Sequence, residues 1–199
     1  MTFDWHRIVE ILGVITGLLS VYFAVKEDNR TWSIGILNAA LFGVMFFVDR
    51  YYVNVGLQAL YVAYNVYSWR MWLYGGPQNE PPAVSRTPRA AWPALLLATA
   101  GFTALFGWVF DTYTDGSLPY WDALTTALSL VAQYALTRKW LENWGIWITA
   151  NAIYIGLGVA GGNYWFAALQ LAYIALSAAG YGRWRAELKA AAATAPEAA

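Results

Sequence analysis

The feature that most constrains this chain is a duplication. Shifted by 112 positions, the stretch around Trp32 (TWSIGIL) falls on the stretch around Trp144 (NWGIWIT). The same shift takes Ile34 to Ile146, Ile36 to Ile148, Tyr52 to Tyr164, Leu57 to Leu169, Gln58 to Gln170, Tyr61 to Tyr173 and Trp72 to Trp184, with no gap. Roughly ten of about forty positions are identical, and the gapless register weighs more than the score. Both copies lie in long apolar stretches, so the repeated unit is a set of membrane helices.

Composition agrees. Of 199 residues, 59% are hydrophobic and 12% charged, with 12 Trp and 14 Tyr. A soluble domain carries about 25% charged residues. Cysteine is absent, which excludes disulfides and thiolate metal sites. Net charge is zero, so no nucleic-acid partner is expected. Seven hydrophobic segments run near 8–25, 31–48, 53–72, 91–110, 120–137, 143–160 and 163–182, each long enough to cross a bilayer. Charged or turn-forming breaks separate them, the longest being the proline-rich stretch 75–89. The first segment is followed by Lys26, Glu27 and Asp28 rather than a small-residue cleavage site, so it is expected to be retained.

The expected plan is all-α: residues 1–74 form a first three-helix repeat and 75–112 a polar loop with linker helix 4. Residues 113–185 form a second repeat, and 186–199 a tail that extends the last helix briefly and frays. Three helices are an odd number, so an immediate second copy would be inverted, and helix 4 restores the direction. Two parallel bundles follow, with a substrate expected between them near mid-membrane, as in parallel-repeat transporters. One side of the membrane would carry only Arg7 and Arg50. The other would carry Lys26, Arg30, Arg70, Arg86, Arg89, Arg138, Lys139, Arg183, Arg185 and Lys189. The N-terminus is therefore expected outside and the C-terminus in the cytoplasm.

Polar side chains in a bilayer must face protein or water. On helix 3, Gln58, Tyr61 and Asn65 share a face; on helix 7, Gln170, Tyr173 and Ser177 repeat the spacing. Asp122, Thr126, Ser129 and Gln133 form one stripe on helix 5. Asn38 and Asn151 match if the register slips by one residue, and Tyr154 follows Asn151 on its face. Such groups often serve as interhelical glue. Trp69, Trp72, Trp121, Trp140 and Trp184 near span ends read as interfacial anchors, and Asp122 as an interfacial cap. Read as a site, the lining offers amides, hydroxyls and rings without a mid-span Arg or Lys. It suits a neutral or cationic ring compound with hydroxyls or an amide, and rejects a phosphate.

Rival classes fail on residues. A retinal protein needs a lysine inside a span, and none is present. An enzyme needs a nucleophile with its base, or metal ligands. His6 is the one histidine, so no enzyme activity, cofactor or metal is expected. Ion coupling needs a mid-membrane acid or broken helix, and the span acids Glu10 and Asp122 lie near ends, which favours a uniporter over a proton- or sodium-coupled symporter.

The segments WDALTTALSLVAQ (121–133), RKWLENW (138–144) and GYGRW (180–184), with WSIGI (32–36) and GLQALY (56–61), resemble the PnuC-type vitamin transporters over nearly the whole chain. The resemblance implies a SWEET-like 3+1+3 fold, a homotrimer in the inner (plasma) membrane, and uptake of unphosphorylated nicotinamide riboside, with thiamine or riboflavin as alternatives. It implies facilitated diffusion, made one-way by a cytoplasmic kinase. It also implies substrate contacts at Gln58, Thr126, Gln133, Trp144, Asn151, Gln170 and Tyr173, to which the helical faces add Tyr61 and Tyr154. Nicotinamide riboside members often have an acid near the position of Asn151, where this chain has an amide.

Overall fold

The expected breaks are real helix ends. In the computed structural model, which describes residues 5–114 and 118–194, seven α-helices follow one another. They are α1 (Trp5–Val25), α2 (Arg30–Val48), α3 (Tyr52–Tyr74), α4 (Trp92–Tyr113), α5 (Pro119–Thr137), α6 (Asn143–Ala160) and α7 (Tyr164–Thr194). Short 3-10 turns at Pro77–Asn79 and Arg89–Ala91 punctuate the proline-rich stretch before α4. Two compact units divide between Pro82 and Ala83, so α4 falls in the second.

The duplication is visible in hydrogen bonds. After α1, Glu27 N donates to Ala24 O (3.0 Å) and Asp28 N to Phe23 O (3.0 Å); after α5, Lys139 N donates to Leu136 O (2.9 Å) and Trp140 N to Ala135 O (2.9 Å). After α2, Arg50 N donates to Phe47 O (3.2 Å) and Tyr51 N to Phe46 O (2.8 Å); after α6, Gly162 N donates to Val159 O (3.1 Å) and Asn163 N to Gly158 O (2.7 Å). All four are Schellman caps, which satisfy the last carbonyls through one left-handed residue. Those residues are Glu27, Arg50, Lys139 and Gly162, at φ of 57, 63, 51 and 71°. Each pair is 112 positions apart. The register therefore contains no slip: Asn38 corresponds to Ala150, and Asn151 to Ala39.

The first unit packs α1 on α2 and α2 on α3. Asn38 serves it as glue, its Nδ2 donating to Gly13 O and Thr16 Oγ1 (both 2.8 Å) on α1. In the turn between α1 and α2, Arg30 donates to both oxygens of Asp28 and holds that carboxyl below the usual range. The second unit packs α5 on α6 and α6 on α7, with α4 alongside α5.

Each unit also contains one tryptophan pair. Trp32 meets Trp72 edge to face at 5.1 Å, and Trp144 meets Trp184 in the same way at 5.2 Å. All four are fully buried. Gly180 makes the second pair possible, because a Cβ there would stand 2.5 Å from Trp144 Cε2. Its counterpart Ser68 is also small and fully buried. Trp72 and Trp184 are thus packing residues rather than interfacial anchors; Trp140, in the turn between α5 and α6, is buried too, its ring edge-on to Tyr134 of α5 at 5.6 Å. Trp121, 51% exposed, keeps the geometry of an anchor.

Three helices (Trp5–Val25, Arg30–Val48 and the α4 segment Arg89–Tyr113) are apolar enough by length and hydropathy to cross a membrane. The remaining four carry most of the amides and much of the Tyr and Trp, which lowers their hydropathy. α7 runs to Thr194, well beyond the expected end, because its Ala-rich continuation favours helix strongly.

Candidate functional site

In the second unit, six expected residues sit on three successive helices. Thr126 and Gln133 are half-buried on α5; Thr126 Oγ1 donates to Asp122 O (2.9 Å), one turn back on its own helix. Ser129 Oγ likewise donates to Thr125 O (2.8 Å). On α6, Asn151 is 5% exposed, and the Tyr154 ring packs edge-on to Phe166 of α7 at 5.8 Å. On α7, Gln170 is 5% and Ser177 2% exposed, with Tyr173 half-buried.

The amides are the informative groups. Among the described residues, the side chains of Gln133, Asn151 and Gln170 make no hydrogen bond. Each amide offers a ligand both a donor and an acceptor. The sealed polar atoms lie elsewhere, at Trp32 Nε1, Trp144 Nε1, Thr103 Oγ1 and Asn143 Oδ1; the Asn151 and Gln170 amides still reach accessible space. No acidic or basic residue occurs on α6, on α5 between Asp122 and Arg138, or on α7 before Arg183.

Trp144 is placed differently from the other expected residues. It is 1% exposed, its ring held between Trp184 and Gly180. Its counterpart Trp32 has the same packing. A second ring on the face of Asn151 and Tyr154 is Trp147, half-buried and with no aromatic partner among the described residues. The spacing 147, 151, 154 carries that signal in the sequence. Its counterpart is Gly35, so the first unit has no ring at this point.

In the first unit, Gln58 lies against Gly43 of α2, 3.5 Å from where a Cβ would stand, and is half-buried. Tyr61 is 44% exposed. Asn65 Nδ2 donates to Tyr61 O (2.8 Å), and its Oδ1 rests against Gly35.

A duplicated set of apolar helices, with uncharged amides and rings on mid-helix faces, defines a multi-pass membrane transporter of small molecules. Comparison with known proteins agrees. The family model described as nicotinamide mononucleotide transporter matches residues 7–186, and the chain belongs to that family. It is 30% identical over 194 residues to the nicotinamide riboside transporter PnuC of Escherichia coli K12, covering 85% of this chain and 80% of that one. It is 28% identical over 188 residues to the riboflavin/roseoflavin transporter RibM of Streptomyces davaonensis, covering 92% and 87%. A crystal structure of the vitamin B3 transporter PnuC superposes with a TM-score of 0.68 at 22% identity, over 94% of this chain and 85% of that one, and so shares the fold.

Proposed function

We propose that this protein takes up an unphosphorylated B vitamin, nicotinamide riboside first, by facilitated diffusion. The observation that carries the reading is the pair of largely buried amides Asn151 and Gln170, without a hydrogen-bond partner among the described residues, on α6 and on the uncharged part of α7 before Arg183. Carboxamides match the riboside's own amide and hydroxyls. A phosphate dianion would be desolvated there without a cation. The family model is described by the mononucleotide, whereas the relatives' names speak of the riboside; the missing Arg and Lys favour the riboside. A cytoplasmic kinase would then trap the vitamin, because its product could not return. Gln58, Tyr61, Thr126, Gln133, Asn151, Tyr154, Gln170 and Tyr173 are the proposed contacts, with Trp147 rather than Trp144 as the aromatic platform.

The matching turns support a repeated three-helix unit, and a SWEET-like 3+1+3 plan belongs to the same reading. The basic residues support an inner-membrane protein with its N-terminus outside and its C-terminus in the cytoplasm. A homotrimer belongs to the same reading. Riboflavin is the second reading, favoured by the neutral Asn151 and by the RibM relative.

The test is uptake into proteoliposomes without ion gradients. Nicotinamide riboside should equilibrate and not accumulate. Accumulation driven by an imposed proton or sodium gradient would contradict a uniporter. Gln133→Leu and Asn151→Leu should each weaken binding about tenfold, the cost of a hydrogen bond lost at a desolvated site; unchanged affinity in both would remove these helices from the site.

A further inference from the structure

The LENW segment holds a contact that substrate binding does not use. Glu142 precedes α6 at the N-cap position, yet its carboxylate caps none of that helix's own amides. It turns instead to the segment ahead of α4. Thr87 N donates to Glu142 Oε2 at 2.7 Å and Thr87 Oγ1 to the same oxygen at 2.9 Å, while Arg86 Nη1 reaches Oε1 at 3.2 Å. Beside this clamp, Ser85 N donates to Lys139 O (3.0 Å) and Leu141 N to Ser85 O (2.8 Å), a short parallel bridge onto the α5–α6 turn. Val84 and Thr87 are buried, and the Glu142 side chain is 21% exposed against 66% for Arg86. Residues 84–87 thus form a strap across the start of α6.

The turn does not need the strap. The equivalent turn of the first unit has the same Schellman cap, and its next helix starts with the same bonds: Thr31 N to Asp28 O and Trp32 N to Asn29 O, as Asn143 N to Trp140 O and Trp144 N to Leu141 O. Yet the position of Glu142 is there Arg30, paired with Asp28 of its own turn. A feature present in one repeat and unnecessary for the shared local fold does something only that repeat does. The strap's added effect is to join the entry of α4 to the start of α6, the helix that carries Asn151.

We infer that Glu142 is a positioning residue for transport: through Thr87 it makes the segment leading into α4 and the start of α6 move as one body when the carrier changes state. Asn151 lies nine positions along α6, about 13 Å by helical rise, so the clamp acts on the movement of the helix and leaves the binding groups in place. The inference rests on the transport reading above. Conformational steps, rather than binding, set many turnover rates.

The test uses the full chain in proteoliposomes, reading nicotinamide riboside exchange, with binding affinity and thermal melting measured in parallel. Glu142→Ala should slow exchange about tenfold while affinity stays within about twofold. Glu142→Gln keeps an acceptor for Thr87 and should recover most of the rate; Thr87→Val should slow exchange, and Arg86→Ala should not. An unchanged rate in Glu142→Ala, or rate, affinity and melting all falling together in both Glu142→Ala and Thr87→Val, would overturn the inference. Should the unaltered protein neither bind nor exchange the riboside, the substrate reading fails instead, and the same variants are read with riboflavin.

Discussion

At the scale of single residues, the two tryptophan pairs separate packing from binding. Trp144 lies 112 positions from Trp32 and has the same partner geometry. Trp32→Ala and Trp144→Ala should therefore destabilise the protein alike, each by about 3 kcal/mol. Thermal melting of both variants checks this; a large loss of vitamin affinity confined to a still-stable Trp144→Ala would restore that ring to the site. Gly180→Leu should be at least as harmful, since its side chain would enter the Trp144 ring. At this scale the sequence spoke ambiguously. A tryptophan near the end of an apolar span reads equally as anchor or as core, because both places suit an amphipathic ring. Burial decides, and burial follows from which helix lies beside it. The apparent slip between Asn38 and Asn151 misled for a related reason: two amides in corresponding helices invite pairing, yet Asn38 faces α1 and bonds it.

At the scale of elements, most ends were legible. α1, α2, α5 and α6 stop at residues 25, 48, 137 and 160, the limits set by charges and turn formers in the sequence. The left-handed cap residue after each was not legible, because three of the four are not glycine. An L-residue there costs about 1 kcal/mol or more. Arg50→Gly should accordingly raise stability by about 0.5–1 kcal/mol, its counterpart being Gly162 already. A fall in melting temperature would show that Arg50 makes a compensating contact. The strap was likewise out of reach, because Thr87 and Glu142 are 55 positions apart and no periodicity joins a loop to a helix start. The extension of α7 into the Ala-rich tail was expected but its length was not: alanine carries helix propensity but little hydropathy, so a search for spans stops before residue 194.

At the scale of the whole molecule, the duplication states the repeated helical unit, and the lack of charge supports the proposed cargo. A three-helix unit recurs at one spacing, Gln58 answering to Gln170, and the chain matches a transporter family over residues 7–186. The polar faces on α3, α5 and α7 were readable from helical spacing. Which ring serves them was not, since Trp144 and Trp147 stand three residues apart in one motif. The positive-inside reading predicts that a reporter fused after α7 lies in the cytoplasm, as a labelling or reporter-activity assay would show; a periplasmic signal would invert the topology. The most direct measurement is equilibrium binding by the purified protein of nicotinamide riboside, thiamine and riboflavin, each beside its phosphorylated form. One vitamin should bind tightly and its phosphate at least a hundredfold more weakly, as expected where a charge meets no partner. Equal affinity for the phosphorylated form would contradict both the uncharged site and trapping by phosphorylation.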